Sequence, residues 1–289
     1  MSAPDPTRTS GAPLLVVVDP VAREADGESV RIARDVLCAG APGAKVCLPE
    51  SAEEAARVLA RRCGPRRPVV VGDDGALLRA VQLLHRERVL GEAALSLVPV
   101  GDSPGGVRLA RSLGIPADAV SAARAALRGA ERAVDLLVDD CGGVVLGSLR
   151  LATGPYGDGR GNGSEADSPW QRVYRSLAGT ARARVPRQRI RVEADGELLA
   201  DWDVPVEEVS VAPDGCGAGF AEIAVRGAQP PVRRALARRI TVAGPEFRYR
   251  AGGGAEYGPV RGARTWTVAP AALRMIVPGN ETLSRRGGE

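Results

Sequence analysis

The chain has 289 residues, of which 44% are hydrophobic and 26% charged, and its net charge is +4. Such values describe a globular protein of one large or two ordinary domains that buries its core without disulfides or metals. A single histidine, His85, and five cysteines with no CxxC spacing argue against Ser-His-Asp or Cys-His catalysis, zinc ligation and a disulfide framework. Aromatic residues make up only 3%, so the core must be built from Val, Leu, Ile and Ala. Lys45 is the only lysine, and the abundance of arginine therefore characterises the whole chain rather than any one site. The mild positive charge permits an anionic partner without requiring one, and no basic–aromatic motif points to nucleic acid. The opening MSAPDPTRTSGAP is polar and Pro-rich and leads into no apolar h-region, which predicts no signal peptide. No stretch is long enough to span a bilayer. With reduced cysteines, a cytoplasmic location is expected.

The first part of the chain alternates strand and helix. LLVVVDP (14–20) is a continuous apolar run, as in a strand buried on both faces. SVRIARDVLCAG (29–40) has helical spacing at Val30, Ala33, Val36 and Leu37. AKVCLP (44–49) reads as a second strand, and SAEEAARVLARR (51–62) as a helix opening with Ser51 and Glu54 at capping-box spacing. RPVVVGD (67–73) and ALSLVPVG (94–101) are further strands, separated by the helical ALLRAVQLLHRE (76–87). Two helical stretches follow, GVRLARSLGIP (106–116) and ADAVSAARAALRG (117–129). This rhythm predicts a doubly wound parallel sheet, whose ligands bind at the carboxyl ends of its strands.

After about Arg132 strand-like runs dominate: AVDLLV, GVVLGSLRL, QRIRVEAD, GELLADWDV, VEEVSVAP, FAEIAVRG, RITVAG, FRYRAG and RTWTVAP. Joined by short Gly or Asp turns, they predict an antiparallel β-sandwich. Within it GPYGDGRGNGSEADSP (154–169) has the composition of a flexible loop, and WQRVYRSLAGTARA (170–183) reads as a helix.

The segment VVVGDDGALLRAV (69–81) places a glycine-bearing turn between a strand and a helix start, where backbone N–H groups can hold phosphate. GDDG is also an ordinary turn composition and is weak evidence alone. Its neighbours add specificity. LLVVVDPVAR is similar to the first strand and Asn-Pro-x-Ala-Gly loop of the bacterial diacylglycerol kinase family, relatives of sphingosine kinases and NAD kinases. VVVGDDGALLRAV resembles that family's Gly-Gly-Asp-Gly-Thr loop. LSLVPVGDSPGGVRLARSLGIP resembles its next strand, Gly-Thr-x-Asn-Asp loop and helix. AVDLLVDDCGGVVLGSL resembles the entry to the second domain, and RTWTVAPAALRMIVP the last sandwich strand and return segment.

The resemblance implies an N-terminal doubly wound parallel-sheet nucleotide domain over 13–131, with 273–289 returning to it. It implies a C-terminal antiparallel β-sandwich over 132–272 with a flexible loop at 154–169, after a disordered N-terminus at 1–12. It further implies transfer of phosphate from ATP, with Mg²⁺, to a lipid hydroxyl in an inter-domain cleft, chemistry that rests on positioning and charge neutralisation. The implied partners are nucleotide and a lipid or the inner membrane face; the sequence leaves the oligomeric state open, a homodimer included. On this pattern Asp74 organises the phosphates and Glu256, in the turn GGGAEYG, is the nearest match to the catalytic carboxylate. Asp19, Pro20, Gly72, Asp73, Gly75, Ala76 and Gly101 line the nucleotide site.

Several positions depart from the pattern. Asp19 replaces Asn, Arg23 replaces Gly, Asp73 replaces Gly, Ala76 replaces Thr, and Arg79 stands where Glu is usual; GDSPGG lacks the Thr-x-Asn-Asp chemistry. An added carboxylate beside a triphosphate is repulsive. Alternatives are therefore a catalytically inactive pseudokinase that binds nucleotide or lipid as a regulator, and an NAD-kinase-like enzyme. No metal ligands can be assigned. Arginines at 172–191 and Arg233, Arg234, Arg238 and Arg239 suit either anionic headgroups or a solvated face, the latter favoured in so arginine-rich a chain. Trp170 and Tyr174, four apart on the expected helix, suit burial better than a membrane interface. Asp201, Asp203, Glu207 and Glu208 suit a solvated hairpin better than a cation site.

Overall fold

The computed structural model describes residues 13–62, 66–101, 106–152, 188–215, 217–227 and 231–279. The expected disordered N-terminus, the loop at 154–169 and the helix at 170–183 lie outside the described residues.

Four strands form a parallel sheet in the order β2-β1-β3-β4: β1 (Leu14–Val18), β2 (Lys45–Cys47), β3 (Arg67–Gly72) and β4 (Ser96–Pro99). β1, β3 and β4 are buried from end to end, which explains why their sequences are apolar runs rather than alternating patterns. Around them lie α1 (Pro20–Ala25), α2 (Gly27–Gly40), α3 (Ala52–Arg62), α4 (Asp74–Arg86), α5 (Arg108–Ser112) and α6 (Ala119–Arg128). The predicted start of α3 is present: Ser51 Oγ accepts from Glu54 N at 3.1 Å, and Glu54 Oε2 accepts in return from Glu50 N at 2.8 Å.

The chain leaves β1 for β2 on one side, then passes back to β3 on the other. Right-handed crossovers put α2 and α3 on opposite faces, and α2 packs with α6 while α3 packs with α4. The connections diverge between β1 and β3, so a crevice opens at their carboxyl ends, at Asp19 and Gly72.

The remaining strands form one ten-stranded antiparallel sheet: β5 (Ala130–Asp139), β6 (Val144–Leu146), β7 (Leu149–Ala152), β8 (Arg191–Ala194), β9 (Glu197–Ala200), β10 (Val206–Pro213), β11 (Ala221–Gly227), β12 (Arg233–Ala237), β13 (Arg239–Ala251) and β14 (Ala255–Val277). β13 pairs with β8 near its start and with β7 near its end, and register shifts between Gly244 and Tyr249 separate the two. Such irregularities bend strands, and the sheet turns over a shared core that includes Leu149, Val192, Val211, Ile223, Ile240 and Trp266.

Segmentation differs from expectation in instructive ways. GVVLGSLRL divides at Gly147, whose φ of 81° is a glycine conformation, into β6 and β7. RITVAG and FRYRAG join into β13, and RTWTVAP is part of the 23-residue β14. β12 was not expected as a strand. Its arginines and Leu236 face solvent while only small alanines turn inward, so its sequence shows little apolar alternation.

The two units share a boundary. Leu95 N donates to Arg274 O at 2.8 Å and Ile276 N to Leu95 O at 2.9 Å, so the end of β14 runs beside β4. Leu273, Met275 and Val277, with Leu136, Val144 and Leu146, belong to the core of the α/β unit. Among the described residues no helix is long and apolar enough to cross a membrane.

Candidate nucleotide site

The loops after β1 and β3 meet closely in the crevice. A methyl group on Gly72 would lie 2.9 Å from Asp19 Cβ and 2.8 Å from Ala76 Cβ, so only glycine fits there. The Asp19 carboxylate is buried; its Oδ1 accepts from Arg79 Nη2 at 2.7 Å, and its Oδ2 has no hydrogen-bond partner among the described residues. Pro20 opens α1, where its missing N–H costs nothing. Behind this pair, between α3 and α4, lies a cavity of only about 20 Å³.

Asp73 is the N-cap of α4, and its Oδ1 accepts from Ala76 N at 2.8 Å. The first turn of a helix is a ready anion site, with free N–H groups and the positive end of the dipole. Here the anion is the chain's own side chain. A methyl group on Gly75 would lie 3.2 Å from Asp73 Oδ1 and 3.3 Å from Arg79 Nη1, so these charged groups converge over the first turn. Gly101 at the end of β4 passes 3.5 Å, measured from a methyl built on it, from Asp73 Cβ; residues 102–105 of the next loop lie outside the described residues.

A larger cavity of about 530 Å³ lies beyond Gly101, lined by Asp26, Ser29, Gly101, Arg111 and Asp118 among others. The helices opening onto it are capped in the same way. Asp26 accepts from Ser29 N at 3.0 Å at the start of α2, and Asp118 from Ser121 N at 2.7 Å at the start of α6. The Ser29 contacts hold the Asp26 carboxyl below its ordinary 3.8, so it stays ionised.

Asp74 points inward. It is 4% exposed, with Oδ2 accepting from Leu109 N at 2.7 Å and Oδ1 from Ala110 N at 3.0 Å. It thus caps α5, which has no cap from its own N-cap residue, Val107. Its backbone N–H donates to Gly106 O at 2.7 Å. Burial pushes its carboxyl above 3.8 despite these donors. The 3-10 turn Gly252–Gly254 between β13 and β14 roofs this group: a methyl on Gly253 (φ 79°) would sit 2.8 Å from Asp74 Oδ2, and one on Gly252 2.7 Å from Leu78.

Solved structures match this arrangement of domains. One described as "a putative diacylglycerol kinase" from Bacillus anthracis str. Sterne superimposes with a TM-score of 0.70 at 15% identity, over 93% of this chain and 98% of that one. The crystal structure of a diacylglycerol kinase from the same strain gives 0.66 at 15% identity, over 93% and 98%. The chain has the diacylglycerol kinase fold. An NAD kinase from Archaeoglobus fulgidus, in complex with ATP, stands further off at a TM-score of 0.49 and 13% identity, over 91% and 92%. No family model matches the sequence, and no curated protein does.

Within the diacylglycerol kinase fold, the positions singled out in the sequence fall into two groups. Asp19, Pro20, Gly72, Asp73, Asp74, Gly75, Ala76 and Gly101 gather at the carboxyl ends of β1, β3 and β4. Glu256 is engaged elsewhere, exposed on β14 with Arg248 Nη1 at 3.3 Å and Arg250 Nε at 3.8 Å. The sequence singles out the GGGAEYG turn for Glu256 but not the closure of its Gly252–Gly254 part over Asp74, nor Gln82, because neither a triple glycine nor a helical glutamine signals which group it will meet. Gln82 ties the units together, Nε2 donating to Gly142 O at 2.9 Å and Oε1 accepting from Val144 N at 2.8 Å. Several arginines of the suspected basic surface have local partners: Arg191 meets Glu193, Arg234 meets Glu222, and Arg238 lies over the Phe220 ring.

Proposed function

We propose that this protein is a non-catalytic member of the diacylglycerol kinase fold, a pseudokinase that works by binding rather than by phosphoryl transfer. The observation that carries this reading is the Asp73 carboxylate seated on Ala76 N, in the anion position at the head of α4. A triphosphate entering there must displace that carboxylate and then lie beside it, and Asp26 and Asp118 hold the corresponding positions on α2 and α6. The residues present do not fit Mg²⁺–ATP in the family's manner. Both Asp74 oxygens are engaged by the backbone of α5, and the carboxylate lies beneath Gly253. Glu256 lies between two arginines, which disfavours a proton-accepting role.

The test combines calorimetry with Mg²⁺–ATP and transfer of labelled phosphate to diacylglycerol in mixed micelles. No labelled lipid above background is expected, and Asp73→Gly should strengthen phosphate binding by removing the internal anion. Labelled lipid formed by the natural sequence and lost in Asp73→Asn would overturn the reading and restore lipid kinase activity.

A further inference from the structure

We propose that the cleft between α4 and the β5–β6 hairpin is a binding site for a small aromatic acid: one flat ring bearing a carboxylate or phosphate. It meets the phosphate-loop region at one end, through Arg79, and runs from there along α4 to Arg86; the inference holds whether or not that loop accepts nucleotide.

Two adjoining cavities, of about 550 and 300 Å³, share Gln82, Asp139, Val144 and Tyr257 as lining residues. That is the size range of small-molecule sites, which favour domain boundaries. The cleft is held open by the two-point bond from Gln82 to Gly142 and Val144, which fixes the hairpin against α4.

One wall is aromatic in a chain poor in aromatic residues. The sequence has three tryptophans, four tyrosines and two phenylalanines. Three of these form one column: Trp266 meets Tyr249 edge-on at 5.1 Å, and Tyr249 stacks on Tyr257 at 5.1 Å with an 11° interplanar angle. Trp266 and Tyr249 are buried, whereas Tyr257, half-buried, lines both cavities. With one face against Tyr249, the Tyr257 ring leaves its remainder to the cleft, where another ring can extend the stack.

The charges select the sign of the ligand. Asp139 is engaged by Arg264 at 3.0 Å and by the N–H groups of Cys141 and Gly143. Arg79 is engaged by Asp19, and Glu53 is drawn to Ser51 and its own helix N-terminus. Arg86, exposed on the last turn of α4, also lines the cleft and has no acidic partner among the described residues. An acid with its ring on Tyr257 and its anionic group toward Arg86 satisfies both.

The probe is 2-naphthoate, titrated into the full-length protein and followed by intrinsic fluorescence quenching and saturation-transfer NMR. Saturable binding is expected, weakened about tenfold by Tyr257→Leu and by Arg86→Gln, and retained by Tyr257→Phe, which keeps the column and guards against a folding artefact. The cationic analogue 2-naphthylmethylamine should not compete. Absence of saturable naphthoate binding, equal affinity in the Tyr257→Leu and Arg86→Gln variants, or equal binding of the amine would each overturn the proposal.

Discussion

Replacing Asp74 by alanine separates the two roles open to that residue. A phosphate-organising carboxylate would be dispensable for stability, whereas the one described here holds α5. Its removal leaves Leu109 N and Ala110 N, now accepted at 2.7 and 3.0 Å, without their acceptors in a buried setting. An abandoned buried donor costs about 1–3 kcal/mol, and relief of the carboxylate's own burial offsets part of the pair, leaving a net loss of about 2–3 kcal/mol. At roughly 2–4 °C per kcal/mol for a chain of this class, the melting temperature at pH 7 should fall by roughly 4–12 °C. Because burial raises the folded-state value of this carboxyl above 3.8, its contribution is full below the unfolded value and declines as pH rises through the folded one. The gap between natural and variant proteins should therefore widen on acidification. Circular-dichroism melts over a pH series measure both effects. A melting temperature within about 2 °C of the natural protein at pH 7 would refute the anchoring role.

Gly253→Ala should destabilise by more than about 1 kcal/mol, since it forces a side chain into φ 79° and to 2.8 Å from Asp74 Oδ2; denaturant melts would show it. Gln82→Ala removes both partners of the hairpin, and proteolysis around Gly142 should accelerate as the clasp is lost. Burial pushes the Tyr249 phenol up to about 12. Its contribution is thus complete below the ordinary tyrosine value near 10 and is lost as pH rises through about 12; Tyr249→Phe should show a shallower alkaline loss of stability. Glu256→Gln should shift stability by less than about 1 kcal/mol, as for other exposed ion pairs, and a large shift in chemical denaturation would contradict its surface role.

The α/β unit was legible because buried parallel strands write unbroken apolar runs, and because Ser51 and Glu54 mark a helix start by local bonds alone. The antiparallel unit was legible as a class but not in its divisions. β13 reads as two strands and β14 only as its RTWTVAP part, since their shifts of register lie in pairing, not in composition, and β12 hides its inward face behind alanines. The site was legible as a place but not as an arrangement. That Asp73 would cap its own helix is a local rule that the sequence contains. That Asp74 would turn away to serve α5, beneath a glycine turn 179 residues later in the chain (from 74 to 253), depends on contacts no local pattern encodes.

The junction at β14 has a consequence for how the chain is made. Ala130 pairs with Val277 and Glu131 with Ile276, while Leu95 is bonded to the same few residues of β14. The α/β core thus includes Leu273, Met275 and Val277, which leave the ribosome long after the rest of it. Domains usually complete in order of synthesis. In this topology the first unit must wait, its β4 edge uncovered, until the second has been translated in full.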